Sequence, residues 1–138
     1  MVSMTTMNAK HIVPIVTTTR MRVTRAFYLE QLGFELSYDH DHYLGVRAGP
    51  KGAPELGFMP PDAQAPDVFS GKGITFAIGV ADADAECARL RRLGVPIVQE
   101  PTDQPWGARS FVIQDPNGIA IYLSHPIPAA VEFQQSAC

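Results

Sequence analysis

A single carboxylate, Glu55, is the residue in this sequence whose type and setting most favour chemistry. It begins the run Glu-Leu-Gly-Phe-Met at 55–59, which is typical of a short strand. On the inward face of a pocket, a carboxylate could act as a general base or recognise a cation. Pro54 starts the strand beside it, so a rim position that faces solvent is the alternative.

Histidine and cysteine residues provide weaker candidates. His40 and His42 flank Asp41 in a short polar segment, which is more typical of a surface turn than of a metal site. Cys87 lies within a helical pattern, where cysteine usually packs as a small apolar side chain. Since the other cysteine, Cys138, is the last residue, we expect no structural disulfide and a reducing, cytoplasmic location.

Aromatic side chains indicate where a flat ligand could stack. Trp106 is the only tryptophan and lies in a loop flanked by Gly and Pro, either as a lid on a ligand or as a plug at the end of a sheet. Tyr38 and Tyr43 flank a turn, where they could line a pocket or pack across two strands. Arg109 could meet an anionic group of a ligand or pair with a carboxylate of the protein.

Length and composition set the class of protein. The chain has 138 residues, of which 46% are hydrophobic and 18% charged, as expected for one globular domain. The net charge of −3 and the scattered basic residues argue against a nucleic-acid partner. No apolar run reaches the roughly 20 residues that span a membrane, and the polar start is not a signal peptide.

The predicted elements occur in two copies of one order. The first copy contains a strand, a helix and three strands, at 12–18, 22–32, 34–39, 43–48 and 55–59. The second repeats that order at 73–80, 82–93, 96–99, 109–114 and 119–124. Leu32-Gly33 and Leu93-Gly94 are equivalent, because each pair ends a helix before a strand. A duplicated βαβββ module accounts for this order, and a generic α+β domain is the alternative.

These elements define the expected organisation of the chain. We expect a disordered N-terminal segment at 1–10 and a single domain at 11–126, followed by a C-terminal tail at 127–138. Within the domain, module one covers 11–60, a linker rich in Pro, Asp and Ala covers 61–72, and module two covers 73–126.

Four short motifs resemble those of one known family. The motifs are Ala26-Phe27-Tyr28, Leu32-Gly33-Phe34, Trp106-Gly107 and Asp115-Pro116-Asn117-Gly118. In this order they resemble the signatures of the glyoxalase, bleomycin-resistance and extradiol-dioxygenase superfamily, also called vicinal oxygen chelate proteins. Pro14, 13 residues before Phe27, is most similar to the bleomycin-resistance type. The resemblance implies an α+β fold in which two βαβββ modules form cupped mixed sheets, and a homodimer that encloses its pockets between subunits.

The resemblance also implies where a metal ion would be held. Its four ligand positions correspond to Val13, Glu55, Thr75 and Tyr122. Only Glu55 is a good ligand, and divalent ions in catalytic sites need about three strong donors. A two-residue shift of the first strand would replace Val13 with His11 and still leave too few. We therefore expect no metal or other cofactor.

Period-two alternation predicts which residues line the cup. It turns Glu55 and Met59 of the fourth strand inward, together with Thr75 of the fifth and Tyr122 of the eighth. The full set of predicted ligand-binding residues is Tyr38, Tyr43, Glu55, Met59, Thr75, Trp106, Arg109 and Tyr122.

The favoured function is metal-independent binding of a small molecule. A homodimer of the bleomycin-resistance type would sequester an aromatic or drug-like ligand in a cleft at the subunit interface. The alternative is an enzyme, either a metal-dependent lyase or dioxygenase or a metal-free isomerase or hydrolase with Glu55 as catalytic base. A partner-binding module with a vestigial pocket is a third possibility.

Overall fold

The computed structural model describes residues 7–134, apart from the side chain of Phe133. Residues 7–14 have no regular secondary structure. The prediction of disorder at 1–10 falls partly on residues 1–6, which lie outside the described residues, as do the last four residues of the predicted tail. No helix in the described range is both long and apolar enough to cross a membrane.

Module one is a four-stranded mixed sheet with one helix. Its elements are β1 (Ile15–Thr17), α1 (Met21–Ala26, continuing as a π-helical turn over Phe27–Gln31), β2 (Glu35–His40), β3 (Tyr43–Arg47) and β4 (Glu55–Met59). The strand order is β1-β4-β3-β2, with β1 parallel to β4 and the other pairs antiparallel.

Module two repeats this topology. Its elements are β5 (Thr75–Gly79), α2 (Ala83–Arg92), β6 (Gln99–Gln104), β7 (Ala108–Gln114) and β8 (Ala120–Pro126). The strand order is β5-β8-β7-β6, with β5 parallel to β8. The predicted α+β fold of two βαβββ modules is therefore confirmed. A short helix, α3 (Val131–Gln134), follows in the tail and was not predicted.

Helix α2 shows how local sequence determines an element. The side chain of Asp82 accepts a hydrogen bond from the backbone N–H of Ala85 at 3.1 Å, which caps the helix. Ala83, Cys87 and Leu90 are buried along one face at spacings of four and three residues. Gly94 then adopts a φ of 84°, a left-handed conformation that glycine allows without strain.

Two elements differ from their predictions for physical reasons. The second strand of module two, β6, runs over Gln99–Gln104 rather than 96–99. This segment is polar and mostly exposed and contains Pro101, so its residues show no strand pattern, and it pairs with β7 through a register shift. The first helix ends in a π turn, in which the backbone N–H of Leu32 donates to the carbonyl of Phe27. Residue periodicity gives no signal for such a turn.

Each sheet has one face against a helix, the helix face, and an opposite face, the cup face. The helix faces are buried and carry the core residues Val16, Leu44, Val46, Phe58, Phe111, Ile113, Ile121 and Leu123. On β5, by contrast, Thr75, Ala77 and Gly79 point away from the core and are exposed. The predicted alternation of helix-facing and cup-facing residues along the fourth, fifth and eighth strands is confirmed.

A buried hydrogen bond joins the two modules. The Tyr28 hydroxyl donates to Oδ2 of Asp115 at 2.8 Å, and the two residues are only 0% and 5% exposed. The other oxygen of Asp115 accepts the backbone N–H groups of Asn117 and Ile119, each at 2.8 Å. Burial, reinforced by the Asp115 charge, raises the pKa of Tyr28, so its hydroxyl stays a donor.

Asn117 extends this connection to the start of module one. Its Oδ1 accepts the Thr18 hydroxyl at 2.5 Å, and its Nδ2 donates to the Thr24 hydroxyl at 3.0 Å. Thr18 and Thr24 are both buried. The Phe-Tyr and Asp-Pro-Asn-Gly motifs are therefore two halves of one polar network across the module boundary.

Replacing Tyr28 with Phe should destabilise the protein by about 1–3 kcal/mol, because a buried carboxylate oxygen loses a donor that water cannot replace. Urea denaturation measures the free energy of unfolding. Tyr38→Phe is the control, since Tyr38 is 55% exposed, and it should leave stability unchanged. Equal stability of Tyr28→Phe and the unmodified protein would contradict a structural role for this network.

Candidate functional site

The cup face of module one is organised around β3 and β4. Leu56 and Phe58 of β4 pack toward the core, so the alternate residues Glu55, Gly57 and Met59 lie on the cup face. On β3, Tyr43, Gly45 and Arg47 lie on that face for the same reason. The register places Gly45 opposite Gly57 and Arg47 opposite Glu55.

Two glycines form the floor of this face because other side chains lie directly over them. A Cβ on Gly57 would be 2.2 Å from the Tyr43 hydroxyl oxygen, and a Cβ on Gly45 would be 2.4 Å from the Ser37 hydroxyl oxygen. Neither Gly45 nor Gly57 is among the described glycines that adopt a positive φ angle. Space rather than backbone conformation therefore requires glycine at both positions.

Ser37 and Tyr43 converge on Glu55 over this floor. The Ser37 hydroxyl donates to Oε2 of Glu55 at 3.1 Å. Burial, and secondarily the negative charge of Glu55, raises the pKa of Tyr43. Glu55 is half-buried.

A β-bulge brings Ser37 into the site. The register of β2 against β3 shifts between Leu36 and Tyr38, so Ser37 and Tyr38 both lie against Gly45. Strict alternation from Tyr38 would place Ser37 on the helix face. The sequence therefore had no signal that identified Ser37 as a site residue.

An aromatic wall stands beside the carboxylate. The ring centroids of Tyr38 and Tyr43 are 5.9 Å apart in an edge-to-face arrangement, and His40 stacks on Tyr38 at 6.2 Å. Tyr38 is 55% exposed, so much of its ring is open to solvent. Edge-to-face rings with open surface are suited to stacking on a planar molecule.

The cup face of module two carries the remaining aromatic residues. Tyr122 on β8 is paired with Ala77 on β5, whose small side chain leaves space beside the ring. The Trp106 indole N–H donates to the Tyr122 hydroxyl at 3.2 Å, and Trp106 is 51% exposed in the β6–β7 turn. The tail supports this turn through a hydrogen bond from the Ile127 N–H to the Gly107 carbonyl.

Glu55 lines two cavities. One of about 420 Å³ is lined by Pro54 and Glu55 of module one and by Thr75 and Ala77 of module two. Another of about 600 Å³ lies between the segments 10–13 and 51–55. Both volumes are within the range of small-molecule sites.

The structure thus separates the predicted ligand-binding residues into three groups. Tyr38, Tyr43, Glu55 and Met59 share the cup face of module one. Thr75 and Tyr122 lie on the cup face of module two, with Trp106 bound to Tyr122. The cavity between the modules brings Glu55 and Thr75 together.

Arg109 does not lie on a cup face. It stands opposite Asp103 and His125 on the helix face, where it donates to Asp84 and Asp103 at 2.8 Å. The hydrogen bonds from Arg109 hold the pKa of Asp84 below its ordinary value. Its ion pairs thus stabilise the packing of α2 on the sheet, and a bound ligand in the cup would not reach it.

The four positions that correspond to metal ligands in the family do not fit an ion. Val13 has no donor atom, Thr75 is a weak donor, and the Tyr122 hydroxyl already accepts the Trp106 hydrogen bond. His11 lines the 600 Å³ cavity with Glu55, which would still provide only two strong donors. Within residues 7–134 no three His, Cys, Asp or Glu side chains are grouped closely enough to hold an ion.

Replacing Gly57 with Ala should displace the Tyr43 ring by at least about 1 Å, because the new methyl group and the hydroxyl cannot share the same space. Aromatic NMR signals of Tyr43 would report the movement, since the far end of this side chain can swing aside while the fold is kept. Gly79→Ala is the matched control, because a Cβ at Gly79 meets nothing within 4 Å. An unmoved Tyr43 in Gly57→Ala would contradict the packing described for the floor.

Similar solved structures share this architecture. The antibiotic binding protein TnmS3 from Streptomyces sp. CB03234 is 31% identical, with a TM-score of 0.71 over 88% of this chain and 99% of that one. A glyoxalase/bleomycin resistance protein from the same organism is 30% identical, with a TM-score of 0.64 over 83% and 99% of the two chains. A glyoxalase/bleomycin resistance protein/dioxygenase from Nocardioides, 21% identical over 89% and 87%, shares the fold with a TM-score of 0.74.

The family assignment rests on the sequence as well as on the fold. No curated protein matches this chain significantly. The family model of the Glyoxalase/Bleomycin resistance protein/Dioxygenase superfamily matches residues 8–123, which include module one, nearly all of module two and all four motifs. The chain belongs to the Glyoxalase/Bleomycin resistance protein/Dioxygenase superfamily.

Proposed function

We propose that this protein binds a planar aromatic or drug-like small molecule in its cup and holds it without a metal ion and without converting it. The observation that carries the proposal is the cup face of module one, where Tyr43 lies over Gly57 beside the open ring of Tyr38. Such a surface provides aromatic area on which a ligand can stack. Among the positions that correspond to metal ligands, only Glu55 could bind a metal ion strongly. This combination favours ligand binding over chemistry that depends on an ion.

The similar structures support the same class of ligand. The Streptomyces protein that is 31% identical over 88% of this chain is described as an antibiotic binding protein. That likeness extends over both modules, which favours a ligand of related shape and chemistry here.

The ligand-binding form is proposed to be a homodimer with clefts at the subunit interface. The cup-facing residues of β5, Thr75, Ala77 and Gly79, are exposed, and Ile15 of β1 is 52% exposed. A second subunit placed over these strands would cover the small residues and complete a closed cavity. The unit that dimerises is the domain proposed at 11–126, with its modules at 11–60 and 73–126.

Binding should be visible through Trp106, the only tryptophan, because a ligand that stacks in the cup changes the surroundings of its indole. We expect an aromatic antibiotic in a screened panel to alter Trp106 fluorescence saturably and to be recovered unchanged, as judged by mass spectrometry. Trp106→Phe should lose the fluorescence signal while calorimetry still detects binding. Conversion of the ligand, abolished in Glu55→Gln, would instead support an enzyme with Glu55 as its base.

Metal independence is tested directly by metal content. After incubation with Mn, Fe(II), Ni or Zn ions and desalting, we expect less than about a tenth of an equivalent to remain, since one carboxylate cannot compete with bulk water for an ion. Inductively coupled plasma mass spectrometry measures the bound metal. A full equivalent that is lost in Glu55→Ala would overturn the metal-independent part of the proposal.

A further inference from the structure

We infer that Glu55 makes the cup selective for an organic cation, a planar aromatic molecule whose protonated amine binds this carboxylate. The inference rests on the proposed function and names the chemical class of its ligand. It depends on how Glu55 is held, on the charges around it and on the rings beside it.

Within the described part of the chain Glu55 has no cationic partner, although an arginine lies on the neighbouring strand. Arg47 stands directly opposite it in the register of β3 and β4. The Arg47 guanidinium instead pairs with Glu35 at 3.4 Å and donates to the Gly49 carbonyl. Among residues 7–134, no ion pair includes Glu55.

Three other basic residues, Lys10, His11 and Lys51, line the 600 Å³ cavity together with Glu55. None of the three is within ion-pair distance of Glu55. A half-buried carboxylate without a counter-charge is costly, so a ligand that supplies the cation recovers interaction free energy that the free protein lacks.

The carboxylate is also held in a fixed orientation. Ser37 donates to Oε2, and Ser37 is itself confined over Gly45 by the bulge in β2. No described group donates to Oε1, which leaves this oxygen available to a ligand. Ser37 is therefore a positioning residue, since it orients Glu55 and need not touch the ligand.

The aromatic rings beside Glu55 favour the same charge. The Tyr43 hydroxyl lies over Gly57, two residues along β4 from Glu55, and the Glu55 charge adds to burial in raising the pKa of Tyr43. Tyr43 thus remains neutral, and the faces of the Tyr38 and Tyr43 rings carry the partial negative charge that attracts cations. A carboxylate and two ring faces together favour an ammonium group over a neutral hydroxyl, because charge-assisted hydrogen bonds are roughly twice as strong as neutral ones.

The test compares two planar tricyclic dyes of similar size, cationic proflavine and neutral acridone, by calorimetry on the full chain. We expect the unmodified protein to prefer proflavine by roughly 10- to 100-fold in Kd, the range expected for a hydrogen bond to a charged group. Glu55→Gln should abolish this preference, with the loss of affinity falling mainly on proflavine. Asp39→Asn is the matched control, because that carboxylate lies on the same sheet but is paired with Arg25 of α1.

The outcomes separate the inference from the function on which it rests. Equal affinity for the two dyes, or a preference that survives in Glu55→Gln, would overturn the cation selectivity while leaving aromatic binding in place. Binding of neither dye would overturn the proposed function and this inference with it. Ser37→Ala provides a second variant: a partial loss of proflavine affinity with unchanged acridone binding supports its positioning role, and unchanged binding of both dyes contradicts that role.

Discussion

The hydrogen bond between Tyr28 and Asp115 is the interaction on which the rest of the architecture depends. Both residues are buried, so separating the modules would remove the donor that Oδ2 of Asp115 receives from module one, while the backbone N–H groups of Asn117 and Ile119 would remain. Asn117 adds contacts with Thr18 and Thr24, which fixes the start of module one against the β7–β8 turn. Two motifs that are about 90 residues apart in sequence therefore act as one structural unit.

This junction has a direct consequence for the site. The modules meet through α1 and the β7–β8 turn. The helix faces of both sheets pack into the core, and the cup faces lie on the opposite side of each sheet. The floor of the cup then depends on two glycines, since Tyr43 and Ser37 occupy the space that side chains would fill. Because these glycines have no side chains, the hydroxyl groups of Tyr43 and Ser37 can lie close to the sheet beside Glu55.

Membership of the superfamily does not by itself decide the chemistry of the cup, because one topology can carry different sites. Of the four equivalent positions only Glu55 keeps a strong donor, while Tyr122 is engaged with Trp106. The proposed cation selectivity takes this single carboxylate as the recognition element for a positively charged ligand group.

The sequence by itself determined the repeat, the cup-facing residues of three strands and the family, because alternation and helix-ending glycines are local and depend on neighbouring residues alone. It did not reveal the bulge that brings Ser37 to Glu55, the extent of β6 or the π turn after α1, since each depends on pairing with a distant strand or on core packing. Arg109 is the clearest example. Its charge suggested a ligand contact, but only the tertiary structure decided that Asp84 and Asp103 are its partners, because the face on which a side chain lies is set by strand register.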